Sequence, residues 1–225
     1  TGGRGICAAL SARGGPIPRW PPPRFEERKT KDERRVRGLL DAVATVGSGL
    51  RRLGITIERL ACVVLCPGVL NEALRGGRSK LAVDLRLFEV VATELRRDAE
   101  TDAEVLCGKV GGTDRYAERF VEWSGREVRA LVESRARSAY DVPGIGRVSF
   151  VRDGDATEPA VAIASVVGKY VRELWVDDLA RAVGWAGPAP SGYYDEATAR
   201  LEATTREAIG AGVCRLPAGC VLRDK

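Results

Sequence analysis

The hydrophobic period switches sharply to two in the second half of the chain. Val128, Ala130 and Val132 alternate with charged residues, and the runs Ser138 to Val142 and Arg147 to Val151 follow. That is the period of two expected of strands. Pro143-Gly144-Ile145-Gly146 joins the last two runs. Its turn chemistry predicts a hairpin, so this Gly-x-Gly is a turn and not a nucleotide loop. From Pro159 to Arg181 the spacing becomes helical, with Ile163, Val167, Val171 and Leu174 as the buried stripe. Pro159 is acceptable in the first turn. Ala160, Ala162, Ala164 and Ser165 are small enough to let this helix approach a sheet closely. A meander feeding one long helix restricts the fold to an α/β class, a mixed sheet covered by helices.

Upstream, Val36, Leu39, Leu40, Val43 and Val46 predict a helix within Lys31 to Leu53, ended by Gly47, Gly49 and Gly54. Residues 57–65 read as a buried strand. A second helix is expected over 80–97, and a short strand over 103–107. A glycine-bearing loop follows, and then a helix capped by Asp114 and running to Trp123. A last helix is expected over 195–209. Residues 1–30 carry Pro16, Pro18 and Pro21 to Pro23, which forbid a continuous helix, although a short one over Ile6 to Ala12 fits. Residues 24–37 hold seven basic and four acidic side chains, a solvated helix face or a phosphate-facing patch. The expected organisation is an irregular segment 1–30, an α/β domain 31–210 and a tail 211–225.

Composition narrows the chemistry. The 225 residues are 44% apolar and 30% charged, a globular balance, and include no His and no Met. Without His there is no Ser-His-Asp or Cys-His catalysis and no His-containing metal site. The net charge of +5 permits a nucleic-acid partner without requiring one. The sequence shows no signal peptide and no apolar run long enough to span a membrane, so the expectation is a cytoplasmic monomer with reduced thiols. Cys62 and Cys66, four apart on the expected strand, would lie roughly 13 Å from each other, too far to bridge. A thiol-based metal or redox protein is a third reading, and the cysteine spacing does not favour it.

One stretch carries chemistry: Gly154-Asp155-Ala156-Thr157-Glu158-Pro159, then the small-residue helix, then Lys169, Arg172 and Glu173. An Asp at a strand end beside a closely packed helix can meet carboxylates from neighbouring strands. Grouped carboxylates hold hard divalent cations, and two such ions can drive phosphodiester hydrolysis. In Asp155-Ala156, Ala164-Ser165, Lys169, Arg172 and Glu173 the sequence resembles the type 2 ribonuclease H (ribonuclease HII) family. Gly192-Tyr193 looks like the family's Gly-Tyr pair. Val105 to Gly112 with Tyr116 looks like its strand-end Asp-x-x-Gly-Gly pattern, and Asn71 with Lys80 fits its Asn…Asn-Lys region.

The resemblance implies a ribonuclease-H-like mixed sheet flanked by helices. It also implies Mg²⁺- or Mn²⁺-dependent endonucleolytic cleavage of RNA in RNA–DNA hybrids. Asp155 would be the catalytic metal ligand. Lys169 and Arg172 would orient carboxylates or contact phosphate, and Gly192-Tyr193 would meet the sugar. The departures are as informative. The family's N-terminal Asp-Glu-Ala-Gly-x-Gly-Pro strand is not evident. Gly3-Arg4-Gly5 is its only echo, and the expectation is a chain that starts past its first strands. Gly108 stands where a third carboxylate is expected, a degenerate catalytic position, and Glu104 lies too far upstream to replace it. The expectation is therefore an inactive or impaired hybrid endonuclease. The alternative is a catalytically dead relative that binds nucleic acid or protein. Each residue also has a plainer reading: Asp155 as a helix cap, Lys169 and Arg172 as a solvated face, Tyr193 and Tyr194 as packing aromatics.

Overall fold

The structure, a computed structural model, describes residues 47–57, 61–97, 104–187, 190–192, 195–214 and 221–223. The Pro-rich segment, the helix over Ile6 to Ala12, the charge run 24–37, Tyr193 and Tyr194 lie outside them. Contacts divide the chain into two units, one of them Arg19–Ala61. Within that unit, residues 47–52 are helical, so the helix passes through Gly47 and Gly49 rather than ending there. Glycine inside a helix costs only about 1 kcal/mol. Gly54 ends the element instead: it takes φ +70°, and Ile55 N–H closes back on the Leu50 carbonyl.

The other unit contains the sheet. Its described elements run α1 (Pro67–Arg75), α2 (Lys80–Arg96), β1 (Val105–Gly108), a 3₁₀ turn (Ala117–Arg119), β2 (Arg129–Glu133), β3 (Arg137–Val142), β4 (Gly146–Val151), α3 (Gly154–Thr157), α4 (Pro159–Ala182) and α5 (Glu196–Gly210). The sheet order is β1-β4-β3-β2. The meander β2-β3-β4 is antiparallel, whereas β1 pairs parallel to β4, with Gly108 opposite Val151. This is the mixed α/β sheet that the period switch predicts. The hairpin forms as expected, with Gly144 at φ +76°, and α4 begins with Pro159 in its first turn.

Two further expectations fail. Residues 61–66 are irregular, not a strand, because Cys66 is already the N-cap of α1. That helix was legible as Pro67 at a first helical position followed by Gly76-Gly77 nine residues on. Asp114 caps no helix. Its carboxylate is bound to the Lys109 ammonium at 2.6 Å, and only a 3₁₀ turn forms before Trp123.

Alternation sorts the sheet into two faces. Cys107, Val148, Phe150, Tyr140 and Val142 point to one side and form a core with Leu85 and Ala92 of α2 and with Tyr116, Phe120 and Trp123 of the loop. Tyr116 stacks on Phe150 with ring centroids 4.1 Å apart, and Phe120 meets Tyr140 edge-on. The Tyr140 hydroxyl accepts the Tyr116 N–H at 2.8 Å and donates to Glu133; burial above all, with Glu133 beside it, pushes the phenol up to about 12. A second cluster, from Ala180, Val183, Leu201 and Cys214, joins the end of α4 to α5.

Glu89 of α2 is fully buried in the first core. Its carboxylate accepts the N–H groups of Val121 (2.9 Å) and Trp123 (2.8 Å), fixing the loop that carries the aromatic residues. Burial raises its pKa despite the backbone N–H groups that oppose the shift. The folded protein thus holds this proton more tightly than the unfolded chain. The resulting stability is complete below the ordinary glutamate value of 4.5 and is lost as pH rises through the elevated one. Glu89→Gln should remove this component. Urea midpoints of the wild type should fall more steeply than those of the variant as pH rises above about 4.5; parallel pH profiles would contradict the assignment.

Candidate functional site

The C-terminal ends of β1 and β4 meet the start of α4 at a point where two glycines stand together. Gly108 ends β1 and pairs with Val151 at the end of β4. Two residues beyond Val151, Asp153 adopts the left-handed conformation at φ +51° and turns the chain into α3. Gly154 is then buried against both strands. A Cβ added there would lie 3.4 Å from Val161 Cγ1, 3.6 Å from Val151 Cβ and 3.7 Å from the Gly108 Cα. This tight junction seats the first turns of α4 on the strand ends.

Asp155 follows Gly154 on α3 and is exposed. It is not at the end of a strand as the sequence suggests, since β4 stops at Val151 and the chain turns through Arg152 and Asp153 first. Gly108 is half-buried and offers no donor. A Cβ there would find its nearest neighbour, Val161 Cγ1, at 3.9 Å, so a side chain is absent by sequence and not excluded by space. Glu104 is committed elsewhere: its carboxylate binds Arg137 and the Ser149 hydroxyl, each at 2.6 Å.

Lys169 and Arg172 lie further along α4. Lys169 is eight residues past Val161, about 12 Å along the helix axis. It is exposed, with its ammonium 3.9 Å from Glu173. Arg172 is half-buried and meets Gly192, whose backbone runs at φ +76°. A Cβ on Gly192 would lie 2.9 Å from Val176 Cγ2 and 3.4 Å from Arg172 Cδ. Arg172 and Gly192 are therefore brought together. Gly192 is further held by its N–H to the Thr198 hydroxyl at 3.1 Å. The Asp195 carboxylate caps α5 at Thr198 N–H, 2.7 Å, and also contacts the Ser191 hydroxyl, which holds the carboxyl below its usual range. Along α4 the Arg172–Gly192 contact is roughly 16 Å from the Gly108–Gly154 junction. The described candidate residues thus form two groups and not one.

The other resembling positions have structural duties. The Tyr116 hydroxyl donates to the Val110 carbonyl at 2.9 Å within the core. Asn71 is buried and donates to the Leu222 carbonyl at 2.8 Å, tying the C-terminal residues to α1. Lys80 opens α2 behind its Ser79 cap. Two features escaped sequence reasoning. One is Lys109, whose ammonium is held by Asp114 and the Ser134 carbonyl immediately after Gly108. The other is Glu89, whose signal was a lone carboxylate between Leu85 and Ala92 on the apolar stripe.

A pair of divalent cations needs several oxygen donors converging on one point. Among the described residues no group of three or more His, Cys, Asp or Glu side chains is placed to hold a metal ion. With Gly108 bare and Asp155 exposed, the described donors do not fit such a pair. Thiol ligation fares no better: Cys62, Cys66, Cys107 and Cys214 form no disulfide, and burial pushes the Cys107 thiol up to about 12.

The two glycine environments separate by substitution. Gly108→Ala should leave the urea midpoint nearly unchanged, because the added methyl meets only ordinary contact. Gly192→Ala should destabilise by about 1–3 kcal/mol, from left-handed strain and the clash with Val176. Equal effects at the two positions would contradict the described packing.

No helix among the described residues is long and apolar enough to cross a membrane. No curated protein and no solved structure matches the chain. A family model does match, that of ribonuclease HII, over residues 121–210. The span begins in the loop held by Glu89 and takes in the meander, the Gly154–Asp155 turn, α4, Gly192 and α5; Gly108 lies before it. Over residues 121–210, less than half of its length, the chain is therefore similar to ribonuclease HII.

Proposed function

We propose that this chain is a ribonuclease HII relative that presents its strand ends to RNA–DNA hybrids and has lost most or all of the ability to cleave them. The observation that carries the reading is Gly108. It occupies the end of β1, beside the Gly154–Asp155 turn, where a carboxylate would complement Asp155 and where an added Cβ would meet only an ordinary contact, Val161 Cγ1 at 3.9 Å. Asp155 is then the surviving candidate ligand of a site whose family chemistry uses Mg²⁺ or Mn²⁺. Lys169 and Arg172 are proposed as phosphate contacts, and the Gly192-Tyr193 pair as the sugar contact. The chain is proposed to act as a monomer in the cytoplasm.

Because the described donors do not fit a metal pair, no cleavage step is assigned to them. Metal-assisted polarisation supplies several kcal/mol of barrier lowering, and each 1.36 kcal/mol is a factor of ten. Loss of the paired carboxylates should therefore lower turnover by at least about 10³-fold relative to a ribonuclease HII with its complete acidic set. The test is a hybrid-cleavage assay on the full chain with Mg²⁺ and with Mn²⁺. Little or no product is expected. Robust turnover that disappears in Asp155→Ala would refute the loss of activity and leave the family assignment intact.

A further inference from the structure

The end of the sheet opposite the Gly108–Gly154 junction carries a cluster of arginines that the candidate site does not use. β4 runs from the hairpin turn at Gly146 to the junction at Val151, so the two ends lie roughly 17 Å apart. At the turn end, Arg129 of β2 stands opposite Asp141 of β3, and Asp141 stands opposite Arg147 of β4. The three share one sheet face, the one turned away from the aromatic core. Arg129 and Arg147 flank a single carboxylate with their Cα atoms two strand spacings apart, about 10 Å. Both are exposed. The Arg129 guanidinium reaches Asp141 at 3.0 Å with 72% of its side chain open to solvent. Such an exposed pair contributes little to stability.

Two more guanidinium groups grip the turn itself. Arg96, from the end of α2, donates to the Ile145 carbonyl at 2.6 Å. Exposed Arg126 donates to the Pro143 carbonyl. Four arginines thus surround one hairpin tip, whereas the segments 126–129 and 141–147 supply only Glu127 and Asp141 as acids. Two of the four are anchored to backbone carbonyls, so the cluster is partly pre-organised. Planar guanidinium groups with several N–H donors match phosphate oxygens better than ammonium groups do.

We propose that this arginine collar, with Arg129 and Arg147 at its centre, is a second nucleic-acid contact that binds the phosphate backbone of a duplex away from the strand-end site. Such a contact positions a duplex without reading its sequence. It rests on the reading of the chain as a relative that faces RNA–DNA hybrids, and it adds a surface to that reading.

The test uses the full chain with EDTA present, so that binding is read without cleavage. Fluorescence anisotropy with a labelled 20-base-pair RNA–DNA hybrid, over a range of salt, compares the wild type with Arg129→Gln/Arg147→Gln. A control, Arg200→Gln/Arg206→Gln, removes the same charge from exposed ion pairs on α5. Circular dichroism melts establish that all three are folded. The collar variant should bind on the order of tenfold more weakly and lose roughly two units of slope in log K against log salt, with the control unchanged. Equal behaviour of the two double variants would overturn the collar while leaving hybrid binding in place. Absence of wild-type hybrid binding would overturn both readings. Tighter binding of poly-glutamate than of the hybrid would assign the surface to an acidic protein and overturn the nucleic-acid proposal.

Discussion

Everything at the candidate site depends on one close approach. Gly154 sits so near Gly108, Val151 and Val161 that the ends of two parallel strands and the first turn of α4 share one small volume. The approach follows from residues too small to hold them apart, and from a left-handed Asp153 that reverses the chain within two residues of the strand. It delivers Asp155 to the rim of the junction and leaves Gly108 bare beside it. Neither strand of the pair ends in a carboxylate, since β1 stops at Gly108 and β4 at Val151.

The rest of the unit supports that junction from one side. The aromatic core beneath the sheet is closed by the 116–123 loop, and the loop is held by the buried Glu89 carboxylate. Beyond its first turns α4 leaves the sheet and joins α5 through Ala180, Val183 and Leu201. The same helix therefore serves two centres, the strand ends and the Arg172–Gly192 contact. Its intervening residues are half-buried or exposed, which explains why Lys169 behaves as a solvated side chain with an i,i+4 partner.

The meander, its hairpin and the long helix were legible in the sequence because they rest on local signals: alternation, turn glycines and a proline at a helix start. The expected strand at 57–65 was misleading because a short apolar run has no distinguishing period. Pro67 at the head of α1 is the local signal that separates strand from helix here, since it suits a first helical position. Asp114 read as a cap because its type fits one, yet Lys109 claims its carboxylate through a tertiary contact that no local pattern encodes. At the site, sequence order placed Gly108 at the end of β1, as found, but it also placed Asp155 at a strand end, whereas β4 stops at Val151 and Asp155 follows on α3. It could not show that Lys169 and Arg172 lie a dozen ångströms or more along the helix, because a motif compresses into one string what a helix spreads along its axis.

The central claim, that the strand-end junction keeps the scaffold of a hydrolytic site without the paired carboxylates, is tested most directly by titrating the full chain with Mn²⁺ and following bound ion by electron paramagnetic resonance. The bare Gly108 and exposed Asp155 predict no saturable, stoichiometric binding of two ions, and a profile unchanged in Asp155→Ala. Saturable uptake of two Mn²⁺ per chain, lost on Asp155→Ala, would contradict it.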